Sequence, residues 1–266
     1  MKINFIGGLP RSGSTLLCNI LNQNPKFHAT QTSGCMELMT RIKNNWNSID
    51  EHMVAPEASN DEILRSVLKG VLFNYQQNKE VVFNKSRGWH AAIPMLEWVL
   101  GEKPKILCPV RDIRDIISSF ELLWRKQQHK GQIPGQADNW LQFETLERRI
   151  NHFSSNDHPI GVSYNRLNEA IRMGFGECLC LVPFEELTNN PEQTMKDIYN
   201  FIGEDYFEHD FNNVEQITKE DDRLWGFDNL HKIRKKVEPI EPRYPEVLGD
   251  LADQFGDELN FWNKET

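Results

Sequence analysis

Lys2-Ile3-Asn4-Phe5-Ile6 runs directly into Gly7-Gly8-Leu9-Pro10-Arg11-Ser12-Gly13-Ser14-Thr15, and Leu16-Leu17-Cys18-Asn19-Ile20-Leu21 follows at helical spacing. A short apolar strand, a glycine-rich turn and a helix in immediate succession is the arrangement that cradles a phosphate. Glycines let backbone N–H groups approach an anion, and the N-terminus of the helix adds a favourable dipole. Gly8 to Thr15 fits G-x-x-x-x-G-x-T. A nucleoside-triphosphatase loop carries Lys just before its Ser/Thr, where it meets the β- and γ-phosphates. Here that position is Ser14, and Arg11 is the loop's own cation. The loop therefore suits a nucleotide with a smaller anionic load on its 5′ side.

The pattern outward from the loop alternates strands with long helical segments. Val81-Val82-Phe83, Lys105 to Val110 and Cys178 to Val182 read as further strands. Helices are expected over 36–46, 60–77, 91–100, 112–126, 139–153, 160–173, 191–202 and 244–262, with loops at 47–59 and 127–138 and an irregular, charge-rich stretch at 204–243. Such alternation needs crossover connections, hence a parallel sheet. The expected fold is α/β: a P-loop-type three-layer fold with a central parallel sheet of four to five strands flanked by helices. No composition break marks a linker, so residues 1–266 are expected to form one domain.

The 266 residues carry 30 Lys+Arg against 39 Asp+Glu, a net charge of −9. That balance excludes bulk nucleic-acid binding, which needs a basic footprint. No apolar run approaches the ~18 residues of a membrane span, and the first residues are too short and too soon glycine-rich for a signal peptide. Five cysteines, at 18, 35, 108, 178 and 180, include no C-x-x-C pair. They read as reduced packing residues of a cytoplasmic protein, and no metal site is expected.

A second anion motif follows the third predicted strand. Arg111-Asp112-Ile113-Arg114-Asp115 leads to Ser119, eight residues beyond Arg111 and about two helical turns into the next helix. A fixed guanidinium and a hydroxyl suit a phosphate monoester. Taken alone, Arg-Asp pairs at a helix start are common and solvated.

Together the two motifs resemble those of the sulfotransferases that use 3′-phosphoadenosine 5′-phosphosulfate (PAPS). Leu9-Pro10-Arg11-Ser12-Gly13-Ser14-Thr15-Leu16-Leu17 is similar to their 5′-phosphosulfate loop, in the form found in the protein-tyrosine branch and its bacterial relatives. Arg111 and Ser119 fall at the 3′-phosphate positions. Phe184 to Leu187, Pro191 and Phe201 to Gly203 extend the likeness over roughly residues 3–262.

The resemblance implies that Arg11, Ser12, Gly13, Ser14 and Thr15 hold the donor's 5′ end and that Arg111 and Ser119 hold the 3′-phosphate. It implies that Lys85, in Asn84-Lys85-Ser86, meets the bridging oxygen, where an ammonium stabilises the charge that grows on the leaving phosphate. Alone, Lys85 would read as a surface lysine. The acceptor hydroxyl needs a general base. The tyrosine branch uses a Glu after the first helix, but Gln31 stands near that place here. Glu37 is either the base or a solvated helix-start residue. The cytosolic branch has His two residues after its Lys; here Arg87 occupies that position, and His90 is a weaker candidate. Arg87 and Trp89 are candidates to line the acceptor pocket, Trp89 being otherwise an ordinary core residue.

Leu230 to Lys236 is the densest basic run. It is either a solvated charge run or, as in the family, a segment that closes over the nucleotide, with Lys232, Arg234 and Lys235 as candidates; Trp225 could stack on adenine. Residues 1–46 hold five Lys/Arg against one acid, and residues 231–243 hold five against two. The acidity is thus concentrated away from the motifs. The expected reaction moves a sulfuryl group from PAPS to a hydroxyl of a carbohydrate, lipid, small metabolite or tyrosine, without metal, nucleic acid or membrane, and yields adenosine 3′,5′-bisphosphate. The rivals are a P-loop kinase, disfavoured by the missing loop lysine, and a nucleotide-binding protein without catalysis. The oligomeric state stays open.

Overall fold

The computed structural model describes residues 1–74, 79–127, 143–225 and 228–263. Its sheet holds five parallel strands, β1 (Lys2–Ile6), β2 (Phe27–Thr32), β3 (Val81–Lys85), β4 (Ile106–Val110) and β5 (Leu179–Pro183), in the order β2-β3-β1-β4-β5. Lys2 lies beside Val81 and Ile6 beside Lys85, while Phe5 lies beside Ile106 and Val110 beside Pro183. β3 and β4 are buried along their whole length, as strands covered on both faces must be.

Alternate side chains feed two apolar layers. Phe5, Ile106, Cys108 and Val110 face a large layer built with α2 (Cys35–Asn45), α4 (Asp61–Asn74), α5 (Ile93–Leu100), α6 (Ile113–Gln127), α7 (Leu146–Ser154) and α8 (Pro159–Arg172). Ile6, Phe83 and Leu107 face a smaller one built with α1 (Ser14–Leu21), α9 (Phe184–Asn189) and α10 (Pro191–Ile202). The result is the expected helix–sheet–helix sandwich. Among the described residues no helix is long and apolar enough to cross a membrane, and the five cysteines are unpaired.

β2 is an element that the sequence pattern did not reveal. It is an edge strand, pairing only with β3; Phe27 and Ala29 turn inward while its last two residues are exposed. Two apolar residues in six make too weak an alternation to read. Residues 47–59 are not a plain loop: α3 (Asp50–Val54) sits between 3-10 turns at Trp46–Ser48 and Pro56–Ser59. The expected terminal helix over 244–262 breaks after α11 (Tyr244–Leu248) into 3-10 turns at Gly249–Gln254, Asp257–Leu259 and Phe261–Asn263. Gly249, at φ 54°, and Gly256 interrupt the helical pattern. The expected loop at 127–138 and the start of the helix at 139 lie, apart from Gln127, outside the described residues.

Residues 204–225 and 228–243 belong to an irregular strap across the carboxyl end of the sheet. Its two limbs join through Val214 N–H to the Lys235 carbonyl, 2.6 Å, and Val237 N–H to the Phe211 carbonyl, 2.8 Å. Asn19 on α1 anchors it. Its buried side chain accepts from the N–H groups of Ile217 (2.6 Å) and Thr218 (3.1 Å) and donates to the Thr218 hydroxyl (2.9 Å).

Candidate active site

Strand order decides what meets at the site. β3, β1 and β4 are neighbours, and at their carboxyl ends stand Lys85, the glycine loop and Arg111 respectively. Ligands of open parallel sheets bind at this edge. A cavity of about 380 Å³ opens there. It is lined by Arg11, Gly13, Ser14, Thr15, Lys85, Arg87 and Arg111, and on the strap side by His231, Lys232, Arg234, Lys236 and Glu238.

The loop is built to present backbone donors. Gly8 has φ 86°, and a Cβ there would stand 2.3 Å from the Pro109 carbonyl oxygen, so only glycine lets the loop cross β4 this closely. Gly13, also at φ 86°, immediately precedes α1, and no side chain caps that helix. No acidic side chain stands in its first turn, so its free N–H groups remain available to an anion. Ser12 is fully buried, its hydroxyl 2.6 Å from the Leu9 carbonyl oxygen and 2.8 Å from that of Pro109. Its side chain therefore braces the loop rather than lining the cavity.

Arg11 is itself left-handed, at φ 58°. Its Nε donates to Ser119 Oγ at 3.0 Å and an Nη to the Leu230 carbonyl, so one guanidinium joins loop, α6 and strap. Burial lowers its pKa to about 10; the Arg111 charge adds to this and Asp222 opposes it. Arg111 is likewise lowered by burial, against Asp115, 3.6 Å away. Its guanidinium lies over the Phe184 ring, 4.5 Å from the centroid. Two half-buried guanidiniums, the charge of Arg111 adding to the cost of charging Arg11, make a site that an anion would relieve. Arg114 and Asp115 are not solvated. Arg114 pairs with Asp112, and Asp115 accepts from the N–H of Arg243 at 2.9 Å.

Lys85 is buried, and it is not alone. Its Nζ lies 3.3 Å from Thr15 Oγ1 and 3.0 Å from Glu220 Oε1 on the strap. Glu220 also accepts from Thr32 N–H at 3.1 Å and faces His231 Nδ1 at 3.2 Å. Burial pushes its carboxyl up, but Lys85 and His231 outweigh this and hold it below the ordinary range.

Sequence reasoning missed Glu220, Asp222 and His231. They are far from Lys85 in the chain, in a segment that reads as solvated charge, and the alternation of acids with a later basic run was their sole sequence signal.

The other predicted residues separate. Arg87 lines the cavity. Trp89 lies in the core, donating to Asn84 Oδ1 at 3.1 Å and tilted against Phe5. His90 is buried under the loop, its Nδ1 3.5 Å from Gly8 N; burial, with Arg166 adding, lowers its pKa to about 4. Glu37 is exposed on α2, paired with Arg41 at 2.7 Å, and is not among the cavity's lining. Lys235 is exposed and outside the lining, whereas Lys232 and Arg234 are within it. Trp225 stands in a 3-10 turn of the strap at Asp222–Trp225. Among the described residues no group of three His, Cys, Asp or Glu could hold a metal ion.

The loop, Arg111 and a lysine stand at one sheet edge, with Ser119 held by Arg11 and outside the cavity's lining; comparison with known proteins gives the family. The Sulfotransferase family profile matches residues 4–208, and the chain belongs to that family. It is 24% identical over 259 residues to protein-tyrosine sulfotransferase 2 of Gallus gallus, covering 90% of this chain and 60% of that protein. It is 23% identical over 258 residues to protein-tyrosine sulfotransferase 1 of Danio rerio, covering 90% and 62%. The chain thus spans about three-fifths of the length of these relatives. The sulfotransferase domain of the Synechococcus PCC 7002 olefin synthase has the same fold, with a TM-score of 0.50 at 18% identity, covering 96% of this chain and 94% of that one.

Proposed function

We propose that the chain transfers a sulfuryl group from PAPS to an acceptor hydroxyl by in-line displacement. One observation carries this reading: three neighbouring strands bring the uncapped glycine loop, Lys85 and Arg111 to a single cavity under the strap's basic run, Lys232 to Lys236. The donor set fits PAPS. Backbone N–H groups of the loop and the start of α1, with Ser14 and Thr15, would hold the 5′-phosphosulfate. Arg111 and Ser119, linked through Arg11, would hold the 3′-phosphate. Lys232 and Arg234, with Lys235 beside them, would close over the nucleotide.

PAPS supplies a sulfuryl group on a good leaving phosphate. Lys85 stabilises the charge that develops on that leaving oxygen, and Thr15 and Glu220 keep its ammonium in place. This is stabilisation concentrated in the transition state. Fixed cations and amides serve where a metal otherwise would, so the reaction proceeds without one. Arg87 lines the acceptor end and orients a polar or anionic acceptor. The acceptor is a hydroxyl of tyrosine, carbohydrate, lipid or a small metabolite, and the tyrosine sulfotransferase relatives put tyrosine first in the screen. The chain folds as one unit over 1–266 and works in the cytoplasm, in keeping with its unpaired cysteines.

The test is a panel of tyrosine peptides, oligosaccharides, hydroxylated lipids and small phenols, incubated with PAPS labelled in the sulfuryl group. Label on an acceptor, with release of adenosine 3′,5′-bisphosphate, is the expected result. Donor binding with neither transfer nor hydrolysis refutes catalysis. Thermal stabilisation by ATP–Mg but not by the bisphosphate would favour a kinase.

A further inference from the structure

His231 is held in the way a general base is held. Its backbone N–H donates to Asp222 Oδ2 at 3.0 Å, and its Nδ1 lies 2.5 Å from Asp222 Oδ1. Both oxygens of one buried carboxylate thus grip the same residue. Glu220 Oε2 also lies 3.2 Å from Nδ1. A ring nitrogen set between two carboxylates is the one that carries hydrogen, so the neutral ring keeps its lone pair on Nε2. Among the described residues the ring's polar contacts all run to Nδ1, and the residue lines the cavity.

Among the described residues, the carboxylate on Lys85 and the one that lines the cavity are both engaged. Glu220 is held by Lys85 and Thr32 N–H. Glu238 faces Arg234 at 3.9 Å and Lys236 at 3.5 Å. Glu37 is exposed and bound to Arg41. His231 is coupled to the reacting end through a single carboxylate, since Glu220 touches Lys85 with one oxygen and His231 with the other. An acid that orients an imidazole beside a reacting hydroxyl is the arrangement that activates a nucleophile.

We propose that His231, oriented by Asp222, is the general base that takes the proton of the acceptor hydroxyl; this rests on the sulfotransferase reading above. The acceptor O–H proton passes to His231 Nε2 as the acceptor oxygen bonds to sulfur. The sulfur–oxygen bond to the 5′-phosphate breaks, and its electron pair stays on the phosphate oxygen facing Lys85. The histidine then returns the proton to solvent. The charged groups around the ring are Glu220 and Asp222 in contact, Lys85 behind Glu220, Arg11 on the Leu230 carbonyl, and Lys232 and Asp228 beside it.

His231 also helps to fasten the strap, so the test separates the two roles. His231→Asn keeps an amide N–H near the Nδ1 position for Asp222 but has nothing to take a proton. Asp222→Asn keeps the ring and loosens it. With an acceptor from the screen, kcat is measured across roughly pH 5 to 8, and bisphosphate affinity is measured by calorimetry. For His231→Asn we expect kcat to fall by ~10²–10⁴-fold, bisphosphate affinity to be kept, and the wild type's acid-side decline in kcat to vanish. Asp222→Asn should lose less. A His231→Asn kcat close to wild type, an acid-side decline that survives in it, or an equal loss of bisphosphate affinity each overturns the proposal. A wild type that binds the bisphosphate but never turns over PAPS also overturns it, while leaving the donor site in place. A wild type that binds no bisphosphate refutes the sulfotransferase reading itself.

Discussion

Gly13→Ala is the sharpest probe of the loop. Gly13 sits at φ 86° at the start of α1, a conformation that costs a residue with a Cβ about 1–2 kcal/mol. The new methyl would stand 2.7 Å from Phe184 Cδ2 and 3.1 Å from Cε2. The ring must retreat by about 1 Å to regain ordinary contact, and such overpacking costs about 1–3 kcal/mol. At this chain length each kcal/mol is worth about 2–4 °C, so the melting temperature should fall by roughly 5–15 °C. Function should suffer as well, because the Phe184 ring supports the Arg111 guanidinium. Losing one charge-assisted hydrogen bond to a phosphate, about 1.5–3 kcal/mol, weakens bisphosphate binding roughly ten- to hundredfold. Melting curves and calorimetric titration read both effects. Gly174→Ala is the control: φ is 84°, but nothing lies within 4 Å of the added Cβ. It should carry the backbone cost alone and leave binding unchanged. If Gly13→Ala melts with Gly174→Ala and keeps its bisphosphate affinity, the close approach at the loop is not what the glycine serves.

Other perturbations test neighbouring links. Lys85→Met leaves Glu220 buried without its cation, a loss of about 3–5 kcal/mol; the double variant Lys85→Met/Glu220→Gln should recover most of that stability in denaturant unfolding while turnover stays lost. Recovery of turnover would remove Lys85 from the chemistry. Burial holds His90 and His209 at about 4. The unfolded chain therefore takes up protons below about pH 6.5 that the folded one refuses. Stability is complete above that pH and falls toward pH 4, by at most about 3 kcal/mol for each histidine. Denaturant midpoints that stay level from neutral pH to mild acid would contradict this. Arg111→Lys should weaken adenosine 3′,5′-bisphosphate more than adenosine 5′-monophosphate in parallel titrations, because a point charge replaces a planar fork; equal losses would move Arg111 off the 3′-phosphate.

The central strands were legible because β3, β4 and the last three residues of β1 are buried, and all three read as short apolar runs between helical patterns. The loop was legible because its glycines and its missing lysine are local facts. β2 was not, since an edge strand with one polar side alternates too weakly over six residues. The final helix failed because Gly249 and Gly256 punctuate an otherwise helical pattern. The strap's contribution was illegible for another reason. Glu220 meets Lys85 across 135 residues, and no local periodicity records a contact made by an irregular segment. Asp222 and Glu220 read as solvated acids until Lys85 and His231 stand beside them. The basic run Leu230 to Lys236 reads as charge, but which of its members turn inward is set by the strap's path over Asn19.

On the proposed function, one cavity holds a nucleotide by separate sites for its 5′ and 3′ anions. The most direct test is calorimetric titration of the wild-type protein with adenosine 3′,5′-bisphosphate, adenosine 5′-monophosphate and ATP–Mg. The bisphosphate is expected to bind at least tenfold more tightly than the monophosphate, about 1.4 kcal/mol or more for the 3′-phosphate, and more tightly than ATP–Mg. Equal affinity for bisphosphate and monophosphate, or preference for ATP–Mg, would contradict it.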